Sequence, residues 1–295
     1  MAEIGRRQAL RIAAAAGAAA VAAPAAAREA KRPSADDEGL LVDVTRCVGC
    51  RACQTACKEA NQLPPNRAEV EGGIYDAPLD LDGSTKNVIQ LARGPGGETA
   101  FVKRQCMHCA DPACVSVCMA GALHKIAGGV VAYDKGVCVG CRYCQVACPF
   151  DVPKFQWHTA VPVIVKCELC RGREKGPACA EVCPRGAVVH GKRGALLAEA
   201  RRRLAAEPAR YVPKVYGESD GGGTNVLYLA SQGVPFDALG LPKLPERPLP
   251  ELSESIQHGI YRYGLAPIAL WTAVAVVQLR NRKKDVDASD GREEG

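Results

Sequence analysis

Residues 138–149 read CVGCRYCQVACP, so four cysteines fall within eleven residues and a proline follows the last one. Disulfides within so tight a run would be strained, because a disulfide requires a particular separation of its two Cα atoms. A set of thiolates around a metal group suits the spacing better. Pro149 has no N–H to continue a helix, so it ends the short helical turn that we expect within the run.

The chain has 295 residues and sixteen cysteines, which fall into four groups of four with none left over. The first and third groups have the spacing C-x2-C-x2-C-x3-C, and the second and fourth lengthen one gap. The groups are Cys47, Cys50, Cys53 and Cys57; Cys106, Cys109, Cys114 and Cys118; Cys138, Cys141, Cys144 and Cys148; and Cys167, Cys170, Cys179 and Cys183. The shorter spacing is used by bacterial-type ferredoxins, so we expect all sixteen cysteines to ligate four [4Fe–4S] clusters.

Other uses of the cysteines fit the spacing less well. Structural zinc favours two C-x-x-C pairs about 15–20 residues apart, without the added helical C-x3-C present here. A zinc-bearing scaffold is therefore the less favoured alternative. The net charge of +6 is modest, and no long basic run or basic–aromatic pattern points to nucleic acid.

The sequence between the cysteine groups predicts which groups belong to the same structural unit. Residues 118–138 fit the hairpin of a two-cluster ferredoxin, with Gly128–Gly129 near its turn, so groups two and three form one unit. Group one follows a predicted strand at 40–44, and group four precedes one at 187–190. Pairing those strands closes an outer unit around the first. We therefore expect an α+β fold of two nested ferredoxin-like units, each with two [4Fe–4S] clusters.

In each ferredoxin run the fourth cysteine lies too far along the helix to join its own cube, and it ligates the neighbouring one. This exchange predicts four ligand sets, called cages 1 to 4 below. Cage 1 is Cys47, Cys50, Cys53 and Cys183; cage 2 is Cys57, Cys167, Cys170 and Cys179; cage 3 is Cys106, Cys109, Cys114 and Cys148; cage 4 is Cys118, Cys138, Cys141 and Cys144.

The N-terminus is typical of an export signal. Arg6–Arg7 precede an alanine-rich apolar stretch and a small-residue cleavage site, so we assign residues 1–27 to a twin-arginine signal peptide. An alanine-rich helix or tail is the alternative. The four-cluster domain is expected over 38–200, followed by an extension and proline-rich linker over 201–258.

The C-terminal region predicts a membrane anchor. Residues 263–279 carry no charge and are followed by Arg280, Arg282, Lys283 and Lys284, which favour the cytoplasmic side. We therefore expect a transmembrane helix over 259–280 and a cytoplasmic tail over 281–295. A buried core helix is the alternative. The body would then lie on the periplasmic side of the inner membrane.

Smaller features give further expectations. Residues 85–105 predict a hairpin around GPGG. Residues 195–206 predict a helix with Arg201–Arg203 facing solvent, and Gly221–Gly223 predict a turn. His108 is expected near a cluster or on the surface, but not as a ligand. Basic residues beside cluster cysteines are expected to tune cluster potentials: Lys58, Arg142, Lys166 and Arg185.

The nested arrangement resembles the four-cluster iron–sulfur subunits of formate dehydrogenase, dimethyl sulfoxide reductase and nitrate reductase over about residues 40–200. The phrases CMHCADPACVSVC at 106–118, KCELC at 166–170 and YGESDGGGTNVLYL at 216–229, together with both chain ends, resemble the ferredoxin-type subunits of membrane-bound [NiFe] uptake hydrogenases. That resemblance implies electron transfer from the hydrogenase small and large subunits to a multispanning, quinone-reactive membrane subunit and the quinone pool.

No catalytic residue is expected in this chain. It lacks metalloprotease, serine-hydrolase and dinucleotide-binding motifs, and every cysteine is assigned to a cluster. A non-catalytic electron relay is therefore the leading hypothesis. The alternative is the same relay serving a molybdenum oxidoreductase such as formate dehydrogenase.

Overall fold

The computed structural model describes residues 31–65, 79–157, 159, 162–250, 254, 271–272, 274–276 and 278–279. Ala30–Pro250 form one compact unit. The predicted signal peptide, most of the predicted anchor and the tail lie outside the described residues. Within the part of the chain that is described, no helix has the length and apolar character needed to cross a bilayer.

The described elements are short and lie between the cysteine groups. The strands are β1 (Glu38–Asp43), β2 (Asn87–Arg93), β3 (Thr99–Gln105), β4 (Leu123–Lys125), β5 (Val131–Tyr133), β6 (Lys154–Phe155), β7 (Ile164–Val165), β8 (Val188–Lys192) and β9 (Val226–Leu229). The helices are α1 (Ala52–Ala60), α2 (Ala113–Ser116), α3 (Tyr143–Ala147), α4 (Ala178–Glu181) and α5 (Arg193–Ala206), and a 3-10 turn spans Asp220–Gly222.

The strands flanking groups one and four pair as predicted. β1 lies antiparallel to β8, with Leu41 opposite Val189. A third strand, β9, lies parallel to β1 on its other edge, with Leu41 opposite Leu227. β9 belongs to the region that we assigned to the C-terminal extension, and the sequence gives no sign that it joins this sheet.

Both predicted hairpins are confirmed. β4 pairs antiparallel with β5, with Leu123 opposite Tyr133. Gly128 and Gly129 connect them with φ values of +78° and +75°, a left-handed backbone region that glycine enters at low cost. β2 and β3 form the hairpin predicted around GPGG, with Asn87 opposite Gln105.

Helix α5 covers the three-stranded sheet and corrects one expectation. Its residues Leu196 and Ala200 pack with Leu41 and Leu227 in one apolar cluster. Arg203 does not face solvent, because its guanidinium is buried and its Nη1 lies 2.9 Å from Oδ2 of Asp43. The prediction is confirmed for Arg201 and Arg202, which are exposed, and wrong for Arg203. It failed there because the buried carboxylate on β1 comes from a distant part of the sequence.

The segment after β9 packs on the body. Val234, Leu239 and Leu241 are buried in the main apolar core together with Tyr228. This part of the predicted linker therefore contributes to the core. The turn predicted at Gly221–Gly223 is confirmed by the 3-10 turn over Asp220–Gly222.

Candidate metal centres

All sixteen cysteines lie among the described residues, and none of them forms a disulfide. Their positions follow from the local folds. The first three cysteines of a group lie in a loop and at the start of a short helix, and the fourth lies at or near the end of that helix. The two short-spaced runs share one backbone conformation, with left-handed φ values at Gly49 and Arg51 in the first and at Gly140 and Arg142 in the third.

The cysteines of cage 1 meet although they come from distant groups. Cys47, Cys50 and Cys53 precede and begin α1, and Cys183 follows α4. All four thiols line one pocket. Burial raises the pKa of Cys47, and the nearby Cys183 raises it further. The antiparallel pairing of β1 with β8 brings these two groups together.

The cysteines of cage 2 are also neighbours. Burial raises the pKa of Cys57, and the nearby thiols of Cys179 and Cys170 add to the increase. The Asn61 side-chain amide donates to the Sγ atoms of Cys57 at 3.6 Å and Cys170 at 4.0 Å. Cys167 is near Cys57 and Cys179. The structure thus places the four predicted members of this set around one space.

The remaining two sets draw their cysteines from groups two and three, which precede and follow the β4–β5 hairpin in the sequence. Burial raises the pKa of Cys109 well above its usual value, and the neighbouring cage 3 thiols add to this effect. Burial likewise raises the pKa of Cys144 to about 11, with contributions from its three cage 4 neighbours. The backbone N–H of Leu123 on β4 donates to Sγ of Cys118 at 3.4 Å.

Thiols of successive sets also approach one another. The electrostatic neighbours of Cys53 in cage 1 include Cys179 in cage 2. The electrostatic neighbours of Cys167 in cage 2 include Cys106 in cage 3. The electrostatic neighbours of Cys114 in cage 3 include Cys144 in cage 4. The four sets therefore follow one another in the linear order 1, 2, 3, 4.

The donor chemistry fits [4Fe–4S] clusters. Each set consists of four sulfur atoms, as a cubane requires. Burial raises the pKa of Cys53 to about 12, so a thiolate at this position would require a bound metal group to stabilise it. Among the described side chains, no three of Cys, His, Asp or Glu converge closely enough to hold a single metal ion.

The basic residues near the cages occupy different environments. Lys58 is buried and its Nζ donates to the Pro64 carbonyl at 2.9 Å. Lys166 is buried and donates to the carbonyls of Val131 and Cys167. The Arg142 guanidinium stacks 4.0 Å from the centroid of the Trp157 ring, and Arg185 lines the cage 1 pocket.

Two residues depart from the sequence-based picture. His108 is fully buried, and its Nδ1 accepts a 3.0 Å hydrogen bond from the N–H of Val131, so the surface position that we allowed for it is wrong. Lys103 is absent from the sequence-based set of basic residues, yet it is buried and lines the pocket of cage 1. The sequence could have indicated the burial of Lys103 only through its inward position in the hairpin strand β3.

Comparisons with known proteins agree with this geometry. Residues 98–193 match the family model described as a 4Fe-4S dicluster domain. The chain is 40% identical to the Hydrogenase-2 operon protein HybA of Escherichia coli O157:H7, over 88% of this chain and 89% of that protein. The chain belongs to the HybA family.

A more distant similarity accompanies this one. The chain is 37% identical to the nitrate-inducible formate dehydrogenase iron–sulfur subunit of Escherichia coli K12, over 70% of this chain and 72% of that protein. The HybA-family chain is thus an iron–sulfur electron-transfer subunit of an oxidoreductase with a mixed α/β, ferredoxin-type fold, and the prediction of [4Fe–4S] clusters as its cofactors is confirmed.

Proposed function

We propose that this chain is a non-catalytic relay that carries electrons through four [4Fe–4S] clusters, held in cages 1 to 4. Its donor would be a periplasmic [NiFe] hydrogenase, and its acceptor a multispanning membrane subunit that reduces the quinone pool. The hydrogenase assignment is supported by 40% identity to HybA over 88% of this chain, which is more than the cluster domain alone.

The linear order of the thiols is the observation that carries this function. Cys50 in cage 1 and Cys141 in cage 4 are exposed, whereas each of cages 2 and 3 contains at least two buried thiols and no exposed one. A chain of redox sites with accessible ends and a shielded middle suits transfer between two separate partners. Cages 1 and 4 would be the points of entry and exit.

The surroundings of the two ends suit protein contacts. Val139, Tyr143 and Val146 around cage 4 are 71%, 57% and 85% exposed, and Val48 beside cage 1 is 55% exposed. Exposed apolar groups concentrated near redox sites are typical of surfaces that meet a partner. We assign both ends as contact surfaces for the electron donor and acceptor.

The bound clusters would supply one-electron redox chemistry. The protein holds them with thiolates, keeps water away with apolar side chains and directs N–H groups toward sulfur. In cage 2 the N–H of Leu169 donates to Sγ of Cys167 at 3.4 Å. In cage 1 the ring of Phe101 occupies the space where a Cβ at Gly49 would lie, so the loop can pack closely there.

Iron content tests the number of clusters. Anaerobically purified protein should contain about sixteen irons, from cubes of about four irons each. Zinc in place of iron, or about eight irons at full occupancy, would contradict the assignment of four clusters.

The partner is tested by removing this chain from its native host. Hydrogen-dependent reduction of quinone in membranes should then be lost, while hydrogen-dependent reduction of a soluble dye by the hydrogenase is retained. Reintroducing the wild-type chain is the control. Loss of formate-dependent quinone reduction instead would favour the alternative, a molybdenum formate dehydrogenase, to whose iron–sulfur subunit the chain is 37% identical.

The proposed location rests on the sequence of the chain ends. Residues 1–27 would direct export by the twin-arginine route, and residues 259–280 would anchor the protein on the periplasmic side of the inner membrane, leaving 281–295 in the cytoplasm. Deleting 263–284 should release a soluble, exported protein with its clusters intact. Tight membrane association of that variant, expressed without partners, would argue against the anchor.

A further inference from the structure

Lys103 occupies an unusual position for a charged side chain. It lies on β3 with 1% of its surface exposed, and it lines the same pocket as the four cage 1 cysteines. Its Nζ donates to Oε1 of Gln105. Within the described ranges it forms no ion pair with a carboxylate. A buried ammonium is costly unless opposite charge lies nearby, so its compensation must be sought elsewhere.

The opposite charge comes from two different cages. The electrostatic neighbours of Lys103 are Cys53 of cage 1 and Cys179 and Cys167 of cage 2. The Lys103 side chain therefore lies at the junction between cages 1 and 2.

The backbone around Lys103 is held in place by the C-terminal region. The hydroxyl of Tyr228 on β9 donates to the carbonyl of Lys103, and both residues are buried. β9 pairs with β1, which leads directly into cage 1. The position of the charge is thus fixed by the same sheet that positions the cage.

Two other lysines near the cages, the buried Lys166 and the half-buried Lys125, differ in how their ammonium groups are satisfied. Lys166 donates to two backbone carbonyls, and Lys125 donates to the carbonyl of Cys109 at 3.0 Å. These contacts hold loops in shape. Lys103 has one side-chain acceptor, and Cys53, Cys167 and Cys179 from two cages are its main electrostatic neighbours.

We infer that Lys103 is a shared cation that raises the reduction potentials of the clusters in both cage 1 and cage 2. The inference rests on the proposed cages. A cubane ligated by four thiolates is an anion, and reduction adds one electron and one further negative charge. A fixed positive charge in a poorly screened interior stabilises that reduced form.

The test is a redox titration of anaerobically purified protein, followed by electron paramagnetic resonance. Lys103→Met keeps much of the side-chain volume and removes the charge. Two of the four centres should become harder to reduce, with the ratio of oxidised to reduced cluster changing about tenfold at fixed potential, which is about 59 mV for one electron. The other two centres should keep their wild-type ratios. The signal lost in a Cys183→Ser variant identifies the cage 1 centre.

Two further variants sharpen the result. Lys103→Gln removes the charge but keeps a polar side chain beside Gln105, and it should shift the same two centres in the same direction, even if Lys103→Met fails to retain its clusters. Lys125→Met is the matched control, since it removes a half-buried lysine near cage 3 and should leave cages 1 and 2 unchanged.

The outcomes separate this inference from the proposed function. With a full complement of about sixteen irons, ratios within twofold of wild type in both Lys103→Met and Lys103→Gln would overturn the inference alone. An equal shift in all four centres would also overturn the inference, because the effect of the charge would then not be specific to cages 1 and 2. Too few irons in the wild-type protein would overturn the four-cluster relay itself.

Discussion

The inner cage pair, cages 3 and 4, and the outer cage pair, cages 1 and 2, are built in different ways. Cages 3 and 4 draw their ligands from residues 106–148, and the hairpin between those groups has only three residues in each strand. Cages 1 and 2 combine residues 47–57 with residues 167–183, and they depend on a sheet whose strands come from three separate parts of the chain. One pair is local in sequence, whereas the other requires long-range contacts.

The long-range pair has additional support. Closing a long loop costs more conformational entropy than closing a short one, so the outer unit needs more stabilising contacts. The sheet supplies buried apolar side chains, with Leu41 and Leu227 fully buried. The carboxylate of Asp43 on β1 accepts hydrogen bonds from Arg203 at 2.9 Å and from the Tyr211 hydroxyl at 3.0 Å.

The C-terminal region connects both pairs. Besides pairing with β1 through β9, it reaches the loop of group two, where the N–H of Ala110 donates to the Gly223 carbonyl at 2.9 Å. The N–H of Asn225 donates to the Met107 carbonyl at 3.2 Å. The contrast between the two pairs therefore predicts that some substitutions affect only one of them, and four experiments test it.

The largest effect is expected from removing a ligand that crosses between groups. Cys183→Ser should eliminate the cage 1 cluster, lowering the iron content from about sixteen to about twelve while cages 3 and 4 keep their signals. Cys118→Ser should do the same for cage 4 and leave the outer pair intact. Iron analysis and electron paramagnetic resonance distinguish the two. Loss of an inner signal in Cys183→Ser would support a sequential pairing of groups one with two and three with four.

The next largest effect concerns the ion pair beneath the outer sheet. Arg203→Met removes the buried cation of Asp43 and leaves only the partly exposed Arg46, whose Nε lies 3.5 Å from Oδ2 of Asp43. The loss should cost about 1.5–3 kcal/mol and lower Tm by roughly 3–12 °C. The neighbouring Arg202 is 68% exposed, so Arg202→Met should change stability by no more than about 0.5 kcal/mol. Thermal unfolding of the anaerobic protein measures both. Equal effects of the two substitutions would mean that the buried pair does not support the outer unit.

A smaller effect is expected where β1 meets β9. Gly39 and Gly191 lie opposite each other, but a Cβ at Gly39 would lie 2.2 Å from the Asn225 carbonyl oxygen, whereas one at Gly191 would lie 3.7 Å from the Leu196 side chain. Gly39→Ala should therefore destabilise the protein by about 1–3 kcal/mol. Gly191→Ala should be tolerated. Thermal unfolding of both variants checks this, and similar stability in the two would place β9 elsewhere.

The smallest effect is expected in the inner hairpin. Gly128 has a φ of +78° and open surroundings, since a Cβ added there would lie 3.5 Å from its nearest neighbour, a side-chain carbon of Glu38. Gly128→Ala should cost about 1–2 kcal/mol through backbone strain alone. Gly128→Asn should recover part of that loss, since asparagine enters this backbone region more readily. Thermal unfolding compares the two variants. If asparagine is no better than alanine, strain at this turn does not limit the hairpin.

The sequence by itself determined the cysteine groups, both hairpins and the pairing of the strands at 40–44 and 187–190. Each depends on a short stretch of sequence, such as the cysteine spacing or the Gly128–Gly129 turn. The structural preference of such a stretch changes little with its surroundings. The linear order of the four thiol sets, the third strand of the sheet and the burial of Arg203 and Lys103 were decided only by the tertiary structure. A lone lysine or arginine carries no local signal of burial, because its partners, Asp43 for Arg203 and Cys179 for Lys103, lie far away in the chain and meet it only on folding.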